Sequence, residues 1–228
     1  MSFHYSAFIA FCLFGAILSV IRVFLAGSTE LGGLVWNLIL ALIPYFFALL
    51  SVRNSGWWKY IFLFLWLLFF PNSLYIWTDF IHLGKDGAML HFDIVYIGVM
   101  AIAGLISGFA SLEMLHTHWN RHYHRMKAWL LVSGVMLLSL FGVYLGRFLR
   151  FNSWDIVHEP MNLIREISAL LLHPNTPVSI GDPLRTAGHY LYAGGSMNVY
   201  GFIALYFGFY MLLYVFLYHA KNGGSSSR

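Results

Sequence analysis

Charge is scarce in this chain. Only 10% of its 228 residues are charged and 60% are hydrophobic, whereas a soluble domain carries about 25% charged residues. With a mean hydropathy of +0.72, this balance excludes a soluble or disordered chain. Cysteine is scarcer still. Cys12 stands alone, so an intrachain disulfide and a cysteine-based zinc site are both excluded, and Cys12 reads as a small apolar filler. No Lys or Arg precedes Arg22 and no small-x-small cleavage site follows, so the first apolar stretch reads as a retained helix and not as a signal peptide. The formal charge of +4 comes from basic residues scattered at the flanks of apolar runs. That pattern excludes nucleic acid as a partner.

What the chain has in abundance is long apolar segments. A helix needs about 20 mostly apolar residues to cross the hydrocarbon core, and helices satisfy their own backbone there. Six segments qualify, at about 6–26, 33–52, 57–77, 92–115, 127–148 and 192–218. A further stretch, about 154–173, has apolar Val157, Met161, Ile164, Ile167 and Leu171 at helical spacing, with Asp155, His158, Glu159, Asn162, Arg165 and Glu166 largely opposite. This is the pattern of an amphipathic helix at an interface, ended by Pro174 and Pro177. The expected fold is all-α and integral to the membrane: a six-transmembrane-helix bundle with an interfacial amphipathic helix on the outer side. It forms one polytopic domain over residues 1–221, and the tail 222–228 is flexible by composition.

Orientation follows from the basic residues. Arg53, Lys59, Arg121, Arg125, Lys127, Lys221 and Arg228 fall on one side of the spans with Glu113 as the sole acid. The other eight acids fall on the opposite side, with Arg22, Lys85, Arg147, Arg150, Arg165 and Arg185. Arg22, Arg147 and Arg150 sit at or inside spans, so the first side reads as cytoplasmic and both termini as inside. That side also carries a His-rich loop, Thr117–Arg125. His118 and His122 there are spaced i, i+4, which suits a metal or simply a polar headgroup surface.

Polar residues gather at the outer end. Asn72, Tyr75, Asp79 and His82 share one face of the third span, just past Pro71, which removes a backbone hydrogen bond and predicts a kink. A carboxylate beside a histidine orients a general base; a polar seam between helices is the plainer alternative. His91 and Asp93 open the fourth span. With Asp79 and His82 they offer two His and two carboxylates, a donor set for a divalent metal. No cofactor is otherwise expected. At the end of the fifth span, Tyr144, Arg147 and Arg150 recur every third residue, and Asn152, Ser153, Trp154 and Asp155 follow. A guanidinium there needs an anion or water, and binds carboxylate or phosphate through two bonds. Asn152 or Ser153 also suits a helix cap, and Trp154 an interface anchor. Asn37 lies near the outer start of the second span. Gly104-x-x-x-Gly108 and Gly142-x-x-x-Gly146 permit close packing.

The runs LVWNLILALIPYFFALL (34–50), FPNSLYIWTDFIHL (70–83) and GVYLGRFLRFNSWDI (142–156) resemble a family of predicted bacterial membrane proteins catalogued as a domain of unknown function. The resemblance covers roughly residues 33–160. Ser73 and Leu74 stand where that family usually carries a small residue and a second proline. The resemblance implies a bacterial cytoplasmic membrane and no particular activity. It coincides with Asn37, Asn72, Tyr75, Asp79, His82, Arg147, Arg150, Asn152, Trp154 and Asp155.

Three functions are compatible with this pattern. The first is an outer-face enzyme that transfers or hydrolyses an acyl or phosphoryl group on a lipid or lipid-linked substrate. Asp79, His82, Arg147 and Asp155 would be catalytic, and Asn37, Asn72, Tyr75, Arg150, Asn152 and Trp154 would bind substrate. The second is a transporter or channel for a small solute or ion. The third is a non-catalytic subunit whose polar cluster locks helices together. Membrane lipid is the expected partner in each.

Overall fold

A computed structural model of the chain describes residues 2–26, 33–83, 89–149, 151, 158–172 and 199–223, apart from the side chains of 2–8, 26, 81, 82, 222 and 223. The described residues are helical with short connections, and no strand occurs among them. The helices are α1 (Ser2–Ala26), α2 (Gly33–Arg53), α3 (Trp57–Tyr75), a 3-10 helix (Ile76–His82), α4 (Leu90–His122), α5 (Arg125–Phe148), α6 (Pro160–Leu172) and α7 (Val199–Gly223). Five among the described residues are long and apolar enough to cross a membrane: α2, α3 with its extension to Phe80, α4, α5 and α7. In α1 the apolar stretch Ile9–Leu25 is shorter. The protein is an integral, multi-pass membrane protein.

The chain divides into two compact units, Met1–Trp129 and Leu130–Arg228. In the first, α4 touches α1, α2, α3 and the 3-10 helix, and α2 lies along α3. The α2–α3 turn is short because Gly56 adopts φ +64°, a left-handed conformation that costs glycine little. Asn54 closes α2, with its backbone N–H and side-chain amide both donating to the Leu50 carbonyl (3.0 and 2.9 Å). Leu18, Leu38, Ala41, Ile76, Tyr96, Ile97 and Met100 form a shared apolar core.

The closest approach in this unit joins three helices. The Ser73 hydroxyl donates to the Ala41 carbonyl of α2 (3.0 Å). Gly108 of α4 accepts the same serine from the other side, where a Cβ would stand 2.5 Å from Ser73 Cβ. One turn earlier, a Cβ on Gly104 would meet Ile76 Cδ1 at 3.0 Å and the Ser73 carbonyl at 3.3 Å. The glycine pair anticipated as a packing motif is therefore where Ser73 and Ile76 seat on α4. Farther along, Trp66 Nε1 donates to Ser111 Oγ (3.0 Å), which donates on to the Gly108 carbonyl (2.7 Å).

Two boundaries differ from the sequence expectation. The third span is α-helical only to Tyr75 and continues as seven residues of 3-10 helix, Ile76–His82. The His-rich segment expected as a loop is the last two turns of α4, which runs 33 residues to His122. Nothing in Thr117–His122 breaks a helix, and α4 stops only where Tyr123 turns extended and donates to the Trp119 carbonyl (2.8 Å). His124 then caps α5, its Nδ1 accepting the Met126 N–H (3.4 Å).

In the second unit, Tyr144, Phe148, Phe202 and Tyr206 pack ring against ring between α5 and α7, with centroids 4.5–5.5 Å apart. The Leu145 carbonyl accepts from both Leu149 and Phe151 (3.1 and 3.2 Å), which folds the chain back over the end of α5. The helix expected over 154–173 is described from Pro160, a residue suited to a first helical turn. Its Met161, Ile164, Leu171 and Leu172 are exposed, while Glu166 and Leu170 are buried. Residues 173–198, including the start expected for the last span, lie outside the described residues.

Because Ser73 fills the space beside Gly108, Gly108→Ala is expected to destabilise the protein by about 1–3 kcal/mol through overpacking. Gly208→Ala, with nothing within 4 Å of the added Cβ, is expected to be neutral or slightly stabilising. Thermal unfolding of both variants in detergent measures the difference.

Candidate functional site

The polar stripe begins just past Pro71, inside α3. The Asn72 side-chain amide turns back to the Phe69 carbonyl (3.0 Å). Thr78 then donates its hydroxyl to the Tyr75 carbonyl (2.6 Å), and the backbone tightens into the 3-10 form. A 3-10 helix has three residues per turn, so positions i and i+3 eclipse, and runs beyond three or four residues are uncommon. Positions 76, 79 and 82 therefore share one edge of the 3-10 helix. Ile76 seats against Gly104, which turns that edge toward the protein interior.

Asp79 follows it inward and is 4% exposed. Its Oδ2 accepts the Asn37 side-chain amide from α2 at 3.4 Å. Asn37 and Asp79, far apart in sequence and both expected site residues, are thus brought together. His82 closes the same 3-10 helix, but its side chain lies outside the described residues. Tyr75 is half-buried.

Asp93 meets a partner that spacing alone does not reveal. Arg22 of α1 donates Nε to Asp93 Oδ1 (2.6 Å) and Nη2 to Oδ2 (3.3 Å), a two-bond ion pair with side chains only 5% and 13% exposed. One turn deeper, the Tyr96 hydroxyl donates to Ser19 Oγ (2.9 Å). A turn beyond that, a Cβ on Gly15 would meet Met100 Sδ at 2.9 Å. The pairs 22–93, 19–96 and 15–100 are the successive rungs of two antiparallel helices in register. Ser19 and Tyr96 had no place in the sequence-based site. Their signal is the matching three-residue step to Arg22 on one helix and from Asp93 on the other.

Of the expected metal donors, Asp93 is held by Arg22, and the side chain of His82 lies outside the described residues. His91 is exposed and two residues from Asp93, so the two side chains leave α4 in different directions. Among the described residues no group of three or more His, Cys, Asp or Glu comes together. In the second unit, Arg147 is buried at 7% exposure near the end of α5. Arg150, Asn152, Trp154 and Asp155 lie outside the described residues.

These positions fall largely within one recognised sequence family. Its description, Protein of unknown function (DUF1361), matches residues 36–181, a stretch holding Asn37, Asp79 and Arg147 but not Arg22. No curated protein and no solved structure matches the chain. With well over half its length matched, the chain belongs to the family Protein of unknown function (DUF1361).

Proposed function

We propose that the chain crosses a bacterial cytoplasmic membrane six times, with both termini in the cytoplasm and α6 along the outer interface. Two features support this topology. Ile9, Leu13, Ile17, Val20 and Phe24 form an exposed apolar stripe down α1, as a lipid-facing sixth span requires. On α6, Met161, Ile164, Leu171 and Leu172 are exposed beside Asn162, Arg165 and Ser168 while Glu166 is buried, which suits a helix lying at an interface with its acid turned inward.

The function that fits best is an outer-end polar site acting on a membrane lipid or a lipid-linked substrate, by transfer or hydrolysis of an acyl or phosphoryl group. The observation that carries it is Asp79: a carboxylate 4% exposed, at the end of a membrane-spanning segment, on a seven-residue 3-10 helix. Burying a carboxylate is expensive, and an ionisable side chain in a span marks a functional site by default. A long 3-10 stretch is a further departure from the cheapest backbone. Its i, i+3 register aligns Asp79 with His82, the proposed base. Asn37 donates to the carboxylate from α2.

A second reading has its own support. The Arg22–Asp93 pair, in register with Ser19–Tyr96, is a lock that holds α1 on α4. In this reading the charges at that end serve packing, as polar contacts do between membrane helices.

The two readings part on different residues. Cells lacking the protein are expected to differ from wild type in a membrane lipid or lipid-linked species. Asp79→Asn and His82→Ala are expected to reproduce that difference at normal membrane levels of the protein. Full restoration of the wild-type lipid and lipoprotein profile by both variants would sink the site reading. For the lock, Asp93→Asn strands a buried guanidinium and is expected to cost about 3–5 kcal/mol. Arg22→Met with Asp93→Leu is expected to recover most of that loss in thermal unfolding; an Asp93→Asn protein as stable as wild type counts against the lock.

A further inference from the structure

The other end of the first unit carries a cluster that the Asp79 site does not use. Lys59, in the first turn of α3, places Nζ 3.1 Å from His118 Nε2 of α4. An ammonium has only hydrogens to offer, so His118 is the acceptor and is neutral at Nε2. Its ring lies against that of His122, with centroids 4.3 Å apart and planes at 33°. His122 Nδ1 in turn donates to the His118 carbonyl (2.8 Å), and His122 is exposed. Arg121 follows His118 by three residues and so joins the same helical face.

The charge here is unbalanced. Arg53, Arg121, Arg125 and Lys127 are exposed and Lys59 is half-buried. Among the described residues none of these five is in an ion pair. Lys59 is held by a neutral ring, which fixes its position without cancelling its charge. Two of its three hydrogens remain for a ligand. Lys59 and Arg121, with histidine rings between them, present a point charge and a planar fork, the two donor types that bind phosphate oxygens. A divalent cation fits poorly beside an ammonium at this distance.

The level in the membrane favours the same chemistry. Trp57, Trp58, Tyr60 and Tyr123 are exposed around the cluster, and such aromatics sit at the headgroup layer. α4 has 33 residues, about 50 Å of helix at 1.5 Å per residue, against a hydrocarbon core of about 30 Å. Its His-rich final turns therefore lie where lipid phosphates are.

We propose that Lys59, His118, Arg121 and His122 form a phosphate-binding site at the membrane surface, independent of any activity at Asp79. The phosphate is that of an anionic lipid headgroup or of a soluble phosphoester, and the experiment separates the two. The full chain, purified and delipidated in detergent, is titrated with phosphatidylglycerol in mixed micelles and, separately, with inorganic phosphate; binding is read by native mass spectrometry for the lipid and calorimetry for the ion. Wild type is expected to bind one of them, and Lys59→Gln with Arg121→Gln to bind it at least about tenfold more weakly, the loss of two charge-assisted contacts. Arg53→Gln with Lys127→Gln removes the same formal charge elsewhere on that surface and is expected to change binding less than about twofold. Phosphatidylglycerol binding with this residue dependence assigns a lipid headgroup; inorganic phosphate binding alone with the same dependence assigns a soluble ligand. Equal losses in the two double variants, or no binding of either probe by a folded wild type, would overturn the site.

Discussion

Ser73 is the contact on which the first unit turns. Its hydroxyl reaches the Ala41 carbonyl of α2 while its Cβ lies against Gly108 of α4. In hydrocarbon, lipid tails are as apolar as leucine, so helices gain little from burying apolar surface against each other and associate through close packing and hydrogen bonds. A serine between an alanine and two glycines supplies both. It also fixes the height of everything that follows on α3. With Ser73 seated, Ile76 falls on Gly104 and the next eclipsed position, Asp79, points where Ile76 points. The burial of Asp79 is thus a consequence of packing two turns away.

The two carboxylates at this end of the unit are handled differently. Asp93 is neutralised by a guanidinium through two bonds, a contact that replaces much of the solvation lost on burial. Asp79 accepts an amide from Asn37 of α2 at a longer 3.4 Å. The first arrangement explains a structural role for Arg22 and Asp93 without chemistry. The proposed site centres on Asp79 because it is a carboxylate 4% exposed at the end of a membrane-spanning segment.

Much of this was legible in the sequence, for reasons that differ by element. Apolar length alone marks the spans, because hydrocarbon thickness sets helix length. Asn37 and Asp79 stand out because polar residues in such segments are few. The Gly104–Gly108 pair was visible as a packing motif, but its guest was not: Ser73 stood beside Pro71 and looked incidental. The 3-10 geometry was hidden because spacings of three and four suit an α-helix, and only the backbone distinguishes them. The Arg22–Asp93 pair was hidden because 71 residues separate its partners, and helix periodicity carries no information between helices. The His-rich end of α4 read as a loop because polarity was taken as a boundary, although a helix leaving the membrane has no reason to unwind there.

The ends of the first unit are therefore unlike in a way that counting charges does not capture. At the Asp79 end, the paired cation is Arg22 and its charge is consumed by Asp93. At the Lys59 end, no described basic residue among Arg53, Lys59, Arg121, Arg125 and Lys127 is in an ion pair, and a histidine holds the lysine instead. A neutral holder positions a cation and leaves its field intact, which a carboxylate in the same place would not. Positive charge kept this way beside aromatic anchors draws anions to a fixed point on the membrane surface, and a fixed point is what distinguishes a binding site from a basic surface. The same antiparallel pairing of α3 with α4 that seats Ser73 brings Lys59 to His118. Both the buried carboxylate and the phosphate-binding cluster thus depend on one helix register.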